Sequence, residues 1–131
     1  MDSTTLVDYY CQKLESHKIQ NDNDFVSLDI SLSEFINNIV TIFRLGTHQL
    51  ELAYYQLEFL LSMPNTEYTH GNCYRLWLCS LMIIHKFFED IPFSNRVWSR
   101  YSGFSLSQLN SMELEFLKCC QFRILYNSNI L

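Results

Sequence analysis

Along residues 30–124 the apolar side chains recur every three or four positions, and the polar breaks between these stretches are short. That spacing puts the apolar groups on one face of a helix, so the pattern predicts helices throughout. A separate stretch precedes them: Leu6, Tyr9, Tyr10 and Leu14 predict a short amphipathic helix within residues 4–18. The polar residues 20–24 then break the pattern as a linker would. Ser31 with Glu34 three positions on predicts a capping box, and Ile30 with Phe35 a hydrophobic staple. Phe35, Ile36, Ile39, Val40, Ile42 and Phe43 supply the apolar face of the helix that follows, which ends near Gly46. Thr47 is the expected N-cap of the next, whose stripe of Leu50, Ala53, Tyr54, Leu57, Leu60 and Leu61 stops at Pro64.

The third helix of the packed region, about residues 72–89, is apolar in every direction, from Tyr74 and Trp77 through Leu81 and Ile84 to Phe88. A helix of that kind belongs in the middle of a bundle. Pro92 ends it, and Ser94 caps a short fourth helix with Val97, Trp98 and Tyr101, closed by Gly103. Ser105 with Gln108 predicts a second capping box, Phe104 with Leu109 a second staple, and the fifth helix runs to about Cys120. No segment alternates for long enough to build a sheet. The expected fold is all-α: an N-terminal helix in residues 1–20, a linker at 21–29, and a five-helix domain over 30–131 with its third helix buried.

A chain of 131 residues suits one domain. The formal net charge is −5, and the nine Lys and Arg are scattered without a run or a basic helix face. Phosphate-driven binding needs such a patch, so nucleic acid is not an expected partner. The five cysteines form no C-x-x-C, and four lie in apolar helical patterns as small hydrophobes would. This usage points to a reducing intracellular compartment, cytoplasmic or nuclear. The N-terminus has no secretory signature, and the longest apolar stretch, residues 76–84, is far below the roughly 20 residues of a membrane span. No membrane partner is expected.

Catalysis finds little footing. Glycine occurs only at 46, 71 and 103, which builds neither a phosphate-cradling loop nor a dinucleotide fingerprint. Ser105 after Gly103 and Phe104 looks like the start of a nucleophile elbow, but Ser107 stands at the closing glycine and no strand precedes it. The four histidines are not spaced as metal ligands, and His85, deep in an apolar helix, reads as a structural histidine. Glu113 and Glu115 face different sides of their helix. The expectation is no catalytic residue, no metal, no cofactor and no small-molecule substrate.

Two charges stand where the pattern asks for apolar neighbours. Lys86 lies between Met82 and Ile83 one turn back and the pair Phe87 and Phe88, while Glu113 lies between Leu109 and Leu117. Taken singly, each reads as a boundary residue with its head in water. Being of opposite sign in the two most apolar helices, they also suit a shared polar contact site, and pattern alone does not choose.

Several ordered stretches resemble a cyclin box: residues 85–90 around Lys86 and Phe87, residues 95–103, and Leu109, Asn110, Glu113, Phe116 and Leu117 followed by Phe122, Arg123 and Ile124. Asn110 with Glu113, and residues 30–35 upstream, are most similar to the P/U-type cyclins of the phosphate-signalling class. The resemblance implies one cyclin box without a second. It further implies a regulatory subunit, not an enzyme, that forms a heterodimer with a cyclin-dependent protein kinase and activates it. In that family the residues matched by Lys86 and Glu113 contact main-chain groups flanking the kinase helix that carries the catalytic glutamate. Phe87, Leu117, Phe122 and Ile124 match the apolar part of that contact.

Two departures qualify the resemblance. Residues 55–58, Tyr-Gln-Leu-Glu, replace an aromatic followed one residue on by Asp-Arg in many cyclins, so a supporting polar contact is not expected. The first helix of the box lacks the Met-Arg-Ala-Ile-Leu motif with which cell-cycle cyclins dock substrates. The rival reading is a cyclin-fold interaction module that activates no kinase, either transcription-factor-like or a decoy.

Overall fold

The computed structural model describes residues 2–19 and 30–124. The expected linker at 21–29 and the end of the domain beyond Ile124 lie outside the described residues. The elements are α1 (Ser3–Glu15), β1 (Lys18–Ile19), α2 (Leu32–Ile42), α3 (Thr47–Leu61), β2 (Tyr68–Thr69), α4 (Cys73–Phe88), α5 (Asn95–Ser102) and α6 (Leu106–Cys119). The architecture is all-α, as the pattern predicts.

Local chemistry fixes most helix starts. The Asp2 carboxylate accepts from the Thr5 amide at 2.9 Å and opens α1, and the Ser31 hydroxyl accepts from the Glu34 amide at 3.2 Å and opens α2. Ser94 does the same for α5 through the Val97 amide. At α6 the full capping box forms: Gln108 N–H donates to the Ser105 hydroxyl at 3.1 Å and Ser105 N–H donates to the Gln108 side chain at 2.8 Å. One start differs from expectation. Gly46, not Thr47, is the N-cap of α3, with extended backbone and its carbonyl accepting from Leu50 N–H. Thr47 is already helical, so its hydroxyl makes no cap.

Helix α4 is the centre of the molecule. From Trp77 to His85 every residue is buried, which is possible only if neighbours cover all sides of the helix. Tyr54 meets Trp77, the Ser80 hydroxyl donates to the Ala53 carbonyl at 2.5 Å, and Gln49 donates to Glu89 at 3.1 Å. These pairs step in opposite directions along the two helices, so α3 and α4 run antiparallel. The Ser80 bond also satisfies the one hydroxyl in that buried run.

Helix α1 joins the same core. Val7, Tyr10, Cys11 and Leu14 belong to the hydrophobic cluster that α4 centres, and Tyr10 stacks on Tyr54 with ring centroids 4.4 Å apart. Its chain continues into β1, which pairs in parallel with β2 through Lys18 to Tyr68 and Ile19 to Thr69. Two residues per strand leave no alternation to read in the sequence. Tyr68 is buried beneath this pairing and accepts from the Trp77 indole N–H at 3.1 Å.

Candidate partner-docking site

The last turn of α4, the first turn of α5 and the middle of α6 converge. Lys86 sits on α4 just after the buried run, where its stem can lie along apolar surface while its ammonium remains partly exposed. Glu113 sits on α6, one turn beyond the buried Leu109. The Lys86 ammonium and the Glu113 carboxylate are 2.6 Å apart. Their side chains are 31 % and 17 % exposed, so the pair lies at the rim of the core, neither fully solvated nor sealed.

Two asparagines complete the cluster. Asn95, the first residue of α5, donates to the Asn110 side chain at 2.8 Å and to the second Glu113 oxygen at 3.4 Å. Glu113 therefore takes Lys86 on one oxygen and Asn95 on the other, which fixes the plane of the carboxylate. Asn95 was not singled out by the pattern of apolar positions, since a polar residue just after a Ser cap is ordinary. The available signal was the spacing of Asn110 and Glu113, three apart and so neighbours on one helix face.

The apolar residues implied by the resemblance divide. Phe87 is 43 % exposed and Phe122 is 61 % exposed, both unusual for phenylalanine. Leu117 is partly buried against the core. Ile124 is 7 % exposed and belongs to the core cluster, so it supports the surface from within and presents little of itself.

The backbone carrying Phe122 is held by a specific motif. Phe122 N–H donates to Leu117 O at 2.7 Å and Gln121 N–H donates to Lys118 O at 2.9 Å. This is the Schellman pattern at the end of α6, with Leu117 and Phe122 at the two positions that normally make its hydrophobic contact. Gln121 and Phe122 both have positive φ, 55° and 58°. The buried Gln56 side chain donates to Arg123 O at 3.0 Å and to the Cys120 sulfur at 3.4 Å, and so ties the strained turn to α3. Gln56 lies in the stretch where the resemblance departs from many cyclins, and the buried contact it makes is to this turn.

Among the described residues no cluster of three or more His, Cys, Asp or Glu is placed to hold a metal ion. No described helix is long and apolar enough to cross a membrane. All five cysteines are free thiols, and burial pushes Cys79 up to about 12 and Cys11 and Cys120 up to about 11, which makes them poor nucleophiles. Ser105 serves as a helix cap. A cavity of about 450 Å³ opens among Leu60, Arg75, Cys79, Met112, Phe116 and Cys119, and none of the Lys86, Glu113, Asn95 and Asn110 network lines it.

The central helix of the bundle, buried from Trp77 to His85, thus carries in its last turn a lysine linked to a glutamate of α6. The sequence model of the Cyclin family matches residues 7–124. The chain belongs to the cyclin family. It is 35 % identical over 108 residues to G1/S-specific cyclin pas1 of Schizosaccharomyces pombe, covering 79 % of this chain and 26 % of that protein. PHO85 cyclin-6 of Saccharomyces cerevisiae is 40 % identical over 58 residues, covering 44 % of this chain and 14 % of that protein. Cyclin-U2-2 of Arabidopsis thaliana is 25 % identical over 103 residues, covering 78 % and 45 % respectively. The chain thus spans less than half the length of each of these relatives.

Proposed function

We propose that this cyclin box binds a cyclin-dependent protein kinase and activates it by docking on the helix that carries the kinase's catalytic glutamate. The observation that carries the reading is the 2.6 Å contact between Lys86 and Glu113, with Phe87 next to Lys86 along the chain and Leu117, whose carbonyl accepts from Phe122 N–H, one turn beyond Glu113. A cation and an anion held side by side can satisfy the unpaired carbonyls and amides at the ends of a partner helix, while the phenylalanines exclude water around them. The Asn95 bond keeps the carboxylate aimed when the lysine turns to a partner. Activation follows if the box binds the inward arrangement of that helix more tightly than the outward one, so that docking shifts the kinase toward its active population. All phosphoryl transfer stays in the kinase.

Residues 30–124 form the box in this reading, and α1 is packed on it as an added element. The test is recovery of a kinase from native lysate by the wild-type chain and by the Lys86→Ala/Glu113→Ala double variant, with phosphorylation of histone H1 measured on the recovered material. Truncating either charge is expected to cost about 2–5 kcal/mol of binding, the range for a desolvated, hydrogen-bonded interfacial charge. Circular dichroism of both proteins checks that the fold is intact. Equal recovery by both proteins, or none by either, overturns the docking reading. A recovered kinase without activity favours the decoy module.

A further inference from the structure

We propose that the cavity between the end of α3, the start of α4 and one face of α6 is a binding site for a small, uncharged aromatic molecule. Its volume of about 450 Å³ lies within the range of roughly 300–1,000 Å³ found for ligand pockets. Leu60, Leu76, Met112 and Phe116 supply most of the apolar lining, and Cys79 and Cys119 add two thiols. Met112, Phe116 and Cys119 follow one another at four- and three-residue spacing, so they form a single stripe of α6 along the cavity. Their sulfurs are polarisable and make favourable contacts with aromatic rings, which is the chemistry that selects the occupant.

The polar groups at the mouth do not call for a polar ligand. The Thr66 hydroxyl lies 3.0 and 2.8 Å from the carbonyl oxygens of Leu60 and Met63. The Asn72 side chain accepts from Thr69 N–H at 2.8 Å and donates to Glu67 O at 2.9 Å. These bonds fix the connection from α3 to α4 as one wall, so the hollow is preformed. Charges of both signs border it: an anion would meet Glu67 and Glu115, and a cation would meet Arg75. Neither sign is selected. Deeper in, burial pushes the Cys79 thiol up to about 12, so that wall is neutral at physiological pH. A charged ligand would lose hydration against such a lining, whereas an uncharged ring removes apolar side chains from water. Four of the five cysteines are buried and Cys119 is partly exposed, which gives the cavity a thiol that reports on its occupancy. None of Lys86, Glu113, Asn95 and Asn110 lines the cavity, so this site stands or falls separately from the kinase reading.

The probe is the uncharged naphthalene dye prodan, titrated with the full chain and followed by the blue shift of its emission. Saturable binding of one dye per chain is expected, unchanged as salt is raised because no charge pair forms. In the native chain N-ethylmaleimide should alkylate Cys119 first, as located by peptide mass spectrometry. Prodan at roughly ten times its Kd should slow that alkylation about tenfold, since the dye leaves only that fraction of the cavity empty. Met112→Trp and Cys119→Phe set larger side chains in the cavity wall, and each should weaken the dye about tenfold or more. Tyr101→Ser, at an exposed aromatic outside the cavity, should bind as the wild type does. A thermal melt verifies that each variant folds, and where a filled variant does not, the alkylation of the wild-type chain decides. No saturable binding by the wild type overturns the proposal. Full-strength binding by the folded filled variants, or alkylation of Cys119 that bound dye does not slow, also overturns it.

Discussion

His85 is the clearest case of a residue whose surroundings decide its protonation. It is 3 % exposed, its ring is parallel to Phe93 at 5.2 Å, and Trp98 meets it edge-on. Phe93 N–H donates to its Nε2 at 3.3 Å, so that nitrogen is unprotonated and the neutral ring carries its proton on Nδ1. Burial lowers its pKa from the ordinary value of 6.5; the nearby Glu89 works against this and Lys86 works with it. The folded protein therefore binds fewer protons at this site than the unfolded chain. The stability it contributes is complete above 6.5 and is lost as pH falls below that value toward the lowered folded pKa. Urea denaturation between about pH 7.5 and about pH 5.5 should show stability falling on acidification, by at most about 1.4 kcal/mol per pH unit from this group. His85→Gln should flatten that slope, and an unchanged slope would show that the loss arises elsewhere. The sequence exposes His85 as odd because it interrupts an apolar helix, as Lys86 does, but which nitrogen accepts, and from where, depends on a loop eight residues away.

At the scale of the element, helix ends decide where side chains are presented. Among the described residues two helices end on a left-handed residue that is not glycine: Arg44 after α2, with Leu45 N–H donating to Val40 O at 2.9 Å, and Gln121 after α6. A side chain in this conformation costs roughly 1–2 kcal/mol, which glycine avoids at some loss of chain entropy. Gln121→Gly should accordingly stabilise the domain by about 0.5–1 kcal/mol, read as a higher urea midpoint at unchanged slope. A lowered midpoint would mean that the Gln121 side chain makes a contact worth more than the strain. Legibility follows the same line. Ser94, Ser105 and Gly103 were readable because capping chemistry is local and residue-specific. The ends at Arg44 and Gln121 carry no such signal, since nothing about Arg or Gln favours positive φ. Asn95 and Gln56 were missed for a related reason: each is polar in an ordinary place, and its importance lies in partners 15 or more residues away.

For the whole molecule, the question is whether α1 and the five-helix box unfold as one. The sequence separates them by a polar stretch and cannot show the stacking of Tyr10 on Tyr54 or the pairing of Lys18 with Tyr68 across 50 residues. Neither contact leaves a periodic trace in the chain. In the folded protein both connect to α4, because Tyr68 accepts from Trp77 and Tyr54 lies against it. The chain's two tryptophans, both fully buried, report opposite surroundings: Trp77 the side bearing α1, Trp98 the side of Phe43 and His85. A Trp77→Phe variant leaves emission from Trp98 alone, and Trp98→Phe leaves Trp77 alone. If the single cluster running through α1, α4 and α5 makes one cooperative unit, the fluorescence and far-ultraviolet transitions of each variant coincide in urea. Leu14→Ala, which truncates a side chain with no exposed surface in α1, then lowers stability by about 2–5 kcal/mol in both backgrounds. A shift in the Trp77 signal with the Trp98 signal left in place would make α1 a separately melting attachment, because a cavity in one cooperative core must destabilise every reporter it contains.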